Sequence, residues 1–295
     1  MTTKGIVLAG GGGTRMYPLT RAVNKHLLPI YNKPLVYYAL STLLLGGIRD
    51  ILLVVRPSDL DAYRRLFGDG SEWGISVEYV CQVDAAGIAH ALTLAEAFIG
   101  NDECALVLGD NLFHGGQLAI QLRHALRKSP GATIFVREVT DPTRYGVVEF
   151  DAVGDPVSLV EKPSVPRSND AITGLYCYDG TVVDKARRLT PSARGELEIT
   201  DLNRMYLDEG TLTVERLSKD CLWFDIASPN DVFRATQAIA SQENQLGQFI
   251  GCPEEICWRN GWLSSSGLRT VATAQSETEY RRYLLTLSEQ SDASK

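Results

Sequence analysis

The sequence predicts an α/β fold, with a Rossmann-like, mostly parallel central sheet flanked by helices. The 295 residues are 44% hydrophobic, which is enough to bury a substantial core. Apolar, β-rich runs alternate with helix-like stretches through the first half, as in a parallel sheet covered on both faces. After Val139 the pattern changes to short strands and turns, which indicates a smaller antiparallel extension before a C-terminal helical segment.

Hydrophobic periodicity places the individual elements. The first half should contain strands at residues 5–8, 51–55, 76–81, 105–108 and 133–139, and helices near 35–45, 59–67, 88–98 and 118–128. Short strands should follow at 146–150, 157–161 and 174–178, then helices near 181–189 and 199–209 and strands near 212–217 and 222–226. A long helix near 230–245 precedes the tail, which should hold a short helical piece after Cys252 and an amphipathic helix near 277–288.

Composition limits the classes of partner and compartment. The net charge of −7 gives no indication of a nucleic-acid or membrane surface, so an anionic ligand needs a local basic pocket. The sequence shows neither a charged-then-apolar leader nor an apolar run long enough to span a membrane, so we expect a cytoplasmic protein. Its six cysteines form no C-x-x-C pair and should be free thiols without zinc.

The first strand opens into four consecutive glycines, residues 10–13, followed by Thr14 and Arg15. Such bare backbone lets peptide N–H groups crowd a phosphate. The dinucleotide motif G-x-G-x-x-G is excluded because Arg15 and Met16 stand where its last glycine belongs, and no Gly-Lys-Ser/Thr of a P-loop is present. The loop therefore predicts a phosphate cradle with two nearby cations, Arg15 and Lys25.

The run Leu-Ala-Gly-Gly-x-Gly-Thr-Arg-x-x-Pro-Leu-Thr, followed by Lys-x-Leu-Leu-Pro, resembles the sugar-1-phosphate nucleotidyltransferases, and among them the thymidylyltransferases. The resemblance extends from Lys4 to about Leu263. It implies Mg²⁺-dependent transfer of a nucleotidyl group from dTTP to glucose 1-phosphate, giving dTDP-glucose and pyrophosphate for deoxysugar biosynthesis. It also implies a catalytic domain over 1–250, with a nucleotide half to about 140 and a sugar-phosphate half from 141, and a regulatory or oligomerisation segment over 251–295.

Two carboxylates at predicted strand ends are candidates for the Mg²⁺ site. Asp110 ends Ala-Leu-Val-Leu-Gly-Asp, at the strand edge where open α/β sheets bind ligands, although a strand-end Asp can also cap a turn. The resemblance implies that Asp110 and Asp225 are the metal ligands. The family usually continues Asp-Thr-Gly-Thr, whereas this chain has Asp225-Ile226-Ala227-Ser228, which changes the shell around the carboxylate.

The resemblance divides the remaining site residues between two ligands. A Glu-Lys pair before a proline can be an ordinary exposed turn, but in this family Glu161 and Lys162 close the sugar-phosphate pocket. Arg194 and Glu198 can alternatively form a helix-supporting pair. The nucleotide is assigned Gly10, Gly11, Gly13, Thr14, Arg15, Lys25, Gln82, Gly87 and Asp110, and the sugar phosphate Tyr145, Gly146, Glu161, Lys162, Ile172, Thr173, Tyr176 and Arg194.

Base recognition should come from Gln82 and Gly87, because a Gln side chain offers both a donor and an acceptor to the edge of thymine or uracil. His26, Ala85 and His90 depart from the family pattern near the nucleotide, so UTP or another hexose 1-phosphate is an alternative substrate. A catalytically silent nucleotide-sugar sensor is a further alternative, supported by the altered residues after Asp225. The four histidines have no metal-ligand spacing, and no Ser-His-Asp arrangement indicates a protein nucleophile.

The expected mechanism uses charge neutralisation rather than a general base. Arg15 and the loop amides would hold the leaving pyrophosphate, Lys162 would hold the attacking sugar phosphate, and Lys25 together with Mg²⁺ would stabilise charge at the α-phosphate.

In the tail, Pro253 followed by two glutamates predicts the start of a helix, and such a helix can also do no more than pack against the rest of the protein. The resemblance implies a homotetramer with a second nucleotide site formed by His114, Gly115, Cys252, Glu255, Ile256 and Arg259.

Overall fold

A nine-stranded sheet forms the centre of the protein, in a computed structural model that describes residues 3–84, 86–128 and 130–290. The strands are β1 Lys4–Ala9, β2 Pro29–Ile30, β3 Lys33–Pro34, β4 Asp50–Val55, β5 Ser76–Cys81, β6 Cys104–Leu108, β7 Asn111–His114, β8 Ala132–Glu138, β9 Gly146–Phe150, β10 Pro156–Glu161, β11 Asp170–Tyr178, β12 Leu212–Arg216 and β13 Leu222–Asp225. The helices are α1 Leu35–Leu45, α2 Leu60–Phe67, α3 Ile88–Leu94, α4 Glu96–Ile99, α5 Leu118–Ala125, α6 Val182–Arg187, α7 Ile199–Asp208, α8 Pro229–Leu246, α9 Pro253–Arg259, α10 Ser265–Ala274 and α11 Glu279–Ser288.

The order of the strands in the sheet is β10-β9-β11-β6-β1-β4-β5, and β8 joins β12 to β11. Strands β6, β1, β4 and β5 run parallel, whereas β11 is antiparallel to β6. Because β1 lies between β4 and β6, the loops that leave β1 and β6 start at the same edge. The Gly109 amide donates to the Leu8 carbonyl at 2.9 Å, which fixes the two loops side by side.

Two hydrophobic cores cover the faces of the sheet. Successive residues of β1 alternate between them: Val7 and Ala9 pack in one core and Ile6 in the other, as the two-residue period of a strand requires. A third, smaller core lies under α8 and includes Met16 and Ile226. None of the helices in the described ranges is long and apolar enough to cross a membrane, and the six cysteines are unpaired.

The predicted fold class is confirmed, with differences in several elements. The predicted antiparallel extension is present, since β9, β10 and β11 continue the central sheet. The helix expected over 88–98 divides at Ala95 into α3 and α4. Helix α10 was not predicted, nor was β7, which pairs with β13 in a separate two-stranded sheet. Periodicity does not indicate β7, because only four residues lie between Asp110 and Gly115 and so short a run shows no clear alternation.

Candidate active site

Two cavities open at the carboxyl edge of the parallel strands. The glycine-loop cavity, about 660 Å³, is lined by residues 10–16 together with Lys25, Gln82, Gly87, Asp110 and Arg194. The strand-edge cavity, about 470 Å³, is lined by Tyr145, Gly146, Glu161, Ile172, Thr173, Tyr176, Trp223 and Asp225, among others. Arg15, Ile88 and Lys162 line both cavities, so two ligands held there would meet beside two cations.

The glycine loop is closed by a short turn that starts at its last glycine. Gly13 has φ +61°, a left-handed conformation that suits glycine, and precedes the 3-10 turn Thr14–Met16. The Thr20 hydroxyl donates to the Gly13 carbonyl at 2.6 Å. Met16 is fully buried and anchors the turn, whereas Arg15 is exposed. Among the described residues Arg15 has no ion-pair partner, so its guanidinium is available for an anion.

Asp110 is fixed from two sides. The Lys25 ammonium lies 2.5 Å from Asp110 Oδ2, and the side-chain Nδ2 of Asn111 donates to Asp110 Oδ1 at 3.0 Å. Burial by itself would raise the pKa of Asp110, but the charge of Lys25 and these hydrogen bonds lower it on balance. Asn111 is fixed in turn, because its Oδ1 accepts from Trp223 Nε1 at 2.7 Å and from the Gly174 amide at 3.0 Å. Asp110 is therefore a positioned, ionised carboxylate.

Asp225 is brought to Asp110 by the unpredicted β7–β13 pair. Strand register places Asp225 opposite Asn111, and the Ile226 amide donates to the Asp110 carbonyl at 2.9 Å. Burial, and secondly the charge of Asp110, raise the pKa of Asp225 to about 6. Two buried carboxylates whose negative charges repel each other can both bind a cation placed between them. In the described ranges no third His, Cys, Asp or Glu joins these two carboxylates in a group that could hold a metal ion.

Lys162 occupies a constrained position between the two cavities. Its φ is +43°, which is unusual for a residue with a side chain, and its amide donates to the Tyr145 carbonyl at 2.9 Å. The ammonium lies 3.1 Å from Glu161 Oε1, while Thr200 donates to Glu161 Oε2 at 2.5 Å. The lysine side chain is 46% exposed, so its charge faces the open cavities.

Arg194, a predicted sugar-phosphate residue, lines the glycine-loop cavity and is not among the residues that line the strand-edge cavity. Its NH2 group donates to Glu198 at 2.7 Å and approaches Glu161 at 3.4 Å. The pair with Glu198 does form, but Arg194 precedes α7, so it joins a loop to the start of the helix rather than bracing a helix face. The hydroxyl of Thr173, another expected sugar-phosphate residue, donates to the Phe135 carbonyl at 2.9 Å inside the protein.

Two of the departures from the family pattern, His26 and His90, lie behind residues that line the glycine-loop cavity, and Ala227 lines that cavity itself, whereas Ala85 is outside the described residues. His26 is 2% exposed under the glycine loop, and its Nδ1 lies 2.7 Å from Asn24 Oδ1. Burial, and secondly the neighbouring Lys25, lower the pKa of His26 to about 3, so its ring is neutral at physiological pH. His90 contacts the side chain of Gln82.

Several contributors were missed by reading the sequence. Asn111, Trp223 and Thr200 fix the predicted carboxylates, as described above. Asp59 accepts from Arg56 Nε at 2.7 Å and from Asn24 Nδ2 at 2.6 Å, which supports the base of the glycine loop. Asn24, Asn111, Thr200 and Trp223 each lie within or beside a stretch that the resemblance covers, but no role was assigned to them. Asp59 and Arg56 carry no spacing signal.

The expected second-site residues lie around α1. Strand β7, which ends at His114, and helix α9 both pack against α1. Cys252 and Glu255 are buried, with Cys252 Sγ 3.1 Å from the Tyr280 hydroxyl. Glu255 accepts from Arg259 Nε at 2.7 Å. Ile256 and the half-exposed Arg259 are thus the more accessible members on α9.

Comparisons with known proteins agree on one family. The sequence profile of the nucleotidyl transferases matches residues 4–242. Glucose-1-phosphate thymidylyltransferase of Neisseria meningitidis is 49% identical, over 96% of this chain and 99% of that protein. A Bacillus anthracis structure with sucrose, provisionally assigned as a glucose-1-phosphate thymidylyltransferase, is 39% identical with a TM-score of 0.75, over 80% of this chain and 95% of that one. UDP-glucose pyrophosphorylase complexed with UDP-glucose shares the fold at 24% identity and a TM-score of 0.72, over 82% of this chain and all of that one.

Proposed function

Because this chain belongs to the nucleotidyl transferase family, together with the glucose-1-phosphate thymidylyltransferases, we propose that it transfers a thymidylyl group from dTTP to glucose 1-phosphate. The products are dTDP-glucose and pyrophosphate. The observation that carries the proposal is the pair of adjoining cavities, since the glycine loop lines one, Glu161 lines the other, and Arg15 and Lys162 line both. Two polar substrates, both phosphorylated, fit this arrangement.

The reaction needs alignment and charge neutralisation. An oxygen of glucose 1-phosphate attacks the α-phosphorus of dTTP, and the bond from that phosphorus to the oxygen bridging to the β-phosphate breaks as pyrophosphate leaves. A phosphate monoester has a second pKa of about 6, so the attacking oxygen is already largely ionised at neutral pH. In our proposal Lys162 holds this nucleophile, while Arg15 and the loop amides hold the departing pyrophosphate. Lys25 faces the α-phosphate.

Asp110 and Asp225 fit a divalent cation, which we propose to be Mg²⁺. Support comes from the raised pKa of Asp225, caused by burial and by the charge of Asp110, because a bound cation would relieve that repulsion. When bound, the metal supplies Lewis-acid stabilisation of charge on phosphoryl oxygens. The protein's own contribution is to orient the first ligand through Lys25 and Asn111.

A parallel assay of substrates tests the function. Pyrophosphate release should be fast with dTTP and glucose 1-phosphate, and should require both. UTP and other hexose 1-phosphates in the same screen separate the alternative substrates, and the variant Asp110→Asn should lose most activity and serves as the control. Release with no nucleotide and sugar-phosphate pair would favour the sensor and contradict the enzyme.

We also infer a cytoplasmic homotetramer with a second nucleotide site around His114, Gly115, Cys252, Glu255, Ile256 and Arg259. The inference rests on family membership and on the half-exposed Arg259. Light scattering should give four times the chain mass of 32.4 kDa. The product nucleotide sugar should inhibit without competing against glucose 1-phosphate, and Arg259→Ala should relieve that inhibition while sparing catalysis. A monomeric mass, or strictly competitive inhibition unchanged by the variant, would contradict this.

A further inference from the structure

Gln82 lines the glycine-loop cavity. Protein groups next to its side-chain amide set the orientation of that amide. Its Nε2 lies 3.2 Å from Nδ1 of His90, which is on α3, and 3.3 Å from the carbonyl oxygen of Gly87. The described residues that line the cavity include Gln82 and Gly87 but not His90. Both hydrogens of the Gln82 amide therefore have acceptors in the protein, and one acceptor belongs to a side chain that does not reach the ligand.

The carbonyl of Gly87 decides which end of the Gln82 amide faces His90. A carbonyl oxygen can only accept, so Nε2 of Gln82 turns toward it, and in that orientation Nδ1 of His90 accepts the second hydrogen, which requires the imidazole tautomer with its proton on Nε2. The amide oxygen of Gln82 then faces the opposite way. A Cβ added to Gly10 would lie 3.2 Å from Gln82 Oε1, which puts this oxygen over the start of the glycine loop. Gln82 is only 8% exposed, so its side-chain amide has few other hydrogen-bond partners.

We propose that His90 is a positioning residue that sets base specificity by holding the Gln82 amide with its oxygen toward the nucleotide. This role of His90 rests on the proposed function, in which the glycine-loop cavity binds the nucleotide. An oxygen in that place accepts the ring N3–H of thymine or uracil, whereas cytosine presents a lone pair at N3 and is repelled. Turning the amide over would set its oxygen against the Gly87 carbonyl, and His90 would have to move its proton to Nδ1 before it could donate to that oxygen. The Gly87 carbonyl and the present tautomer of His90 together disfavour the orientation that cytosine requires.

Two substitutions separate this role from packing. His90→Asn keeps an acceptor at about the place of Nδ1, and His90→Leu keeps similar bulk without an acceptor. Calorimetry with dTTP and dCTP, without sugar phosphate, measures the binding preference of each protein, and pyrophosphate release gives kcat and KM. In His90→Leu the preference for dTTP over dCTP should fall about fivefold to tenfold, the value of a lost neutral hydrogen bond or two. The change should appear in Kd and KM, with kcat for dTTP unchanged, and His90→Asn should keep the preference.

An unchanged preference in His90→Leu would overturn the proposal, and so would an equal loss in His90→Asn. If the leucine variant does not fold, His90→Lys, which offers only donors, should show the same loss. Wild-type protein that binds dTTP but releases no pyrophosphate would refute the proposed function, while the binding comparison would still decide the role of His90. Wild-type protein that binds neither nucleotide overturns both.

Discussion

Lys33 is predicted to stabilise the fold through a buried ion pair with Glu243. The two side chains are 2% and 4% exposed, and the ammonium lies 2.8 Å from Glu243 Oε1. Burial lowers the pKa of Lys33, and the hydrogen bond and charge of Glu243 oppose that shift. The ammonium also faces three aromatic rings, at 4.8 Å from the centroid of Phe249, 5.7 Å from that of Tyr38 and 5.8 Å from that of Tyr280. This cluster joins the hairpin after the glycine loop to α8 and to the C-terminal helices.

Lys33→Met should lower the free energy of unfolding by about 3–5 kcal/mol, since it leaves a buried carboxylate without its counter-charge. We expect the lower end of that range. Glu243 keeps two donors, the Ile250 amide at 2.8 Å and Asn32 Nδ2 at 2.7 Å, and methionine retains favourable contact with the rings. The double variant Lys33→Met/Glu243→Gln should be less destabilised than Lys33→Met alone, because it strands no charge and the glutamine oxygen can still accept from the Ile250 amide.

Urea denaturation of the variants measures these differences, with Lys4→Met as the matched control. Lys4 also pairs with a carboxylate, Asp50, and also faces one ring, Phe98, but its pair is 20% and 38% exposed. A pair in contact with water contributes about 1 kcal/mol or less. If Lys33→Met costs no more than Lys4→Met, or if the double variant is the less stable one, the argument from burial is wrong.

Three further predictions concern the site. Arg15→Ala should lower turnover at least ~100-fold, the scale of one lost transition-state donor, and a steady-state rate within a few-fold of wild type would exclude its role. Asp110→Asn and Asp225→Asn should each raise the Mg²⁺ concentration needed for half-maximal activity; indifference at Asp225 alone would mean that Asp110 holds the metal without it. The folded pKa of His26, about 3, lies below the ordinary value of 6.5, so the unfolded chain takes up the proton first as pH falls, and stability is lost between those values. From pH 7 to 4.5 wild type should lose about 2–3 kcal/mol more than His26→Gln in urea titrations, and parallel stability curves would contradict this.

The glycine loop shows how much of the site can be predicted from residues that are close together in the sequence. The bare backbone and nearby cations that predict phosphate binding follow one another along the chain between Gly10 and Lys25. The strand that precedes it and the strand that ends before Asp110 were visible as buried apolar runs. Parallel pairing at a shared edge then follows from the fold class, so the meeting of the loop with Asp110 was predictable.

The position of Asp225 was not predictable in the same way. Resemblance named it, but nothing in its neighbourhood indicates β7, a four-residue strand whose pairing with β13 places Asp225 opposite Asn111. Burial, and secondly the charge of Asp110, which that pairing brings near, raise the pKa of Asp225. A pairing between strands more than a hundred residues apart depends on the packing of the whole fold.

The sequence by itself determined the fold class and the residue types at the glycine loop and in both cavities, since these depend on periodicity and on short motifs; phosphate binding by the loop stays a prediction. Only the tertiary structure decided which groups those side chains face. It placed Arg194 in the glycine-loop cavity, turned the Thr173 hydroxyl into the protein, and set His90 behind Gln82. The physical reason is that hydrogen-bond partners and burial are properties of positions in space, and the residues that meet there are separated along the chain by connections of any length.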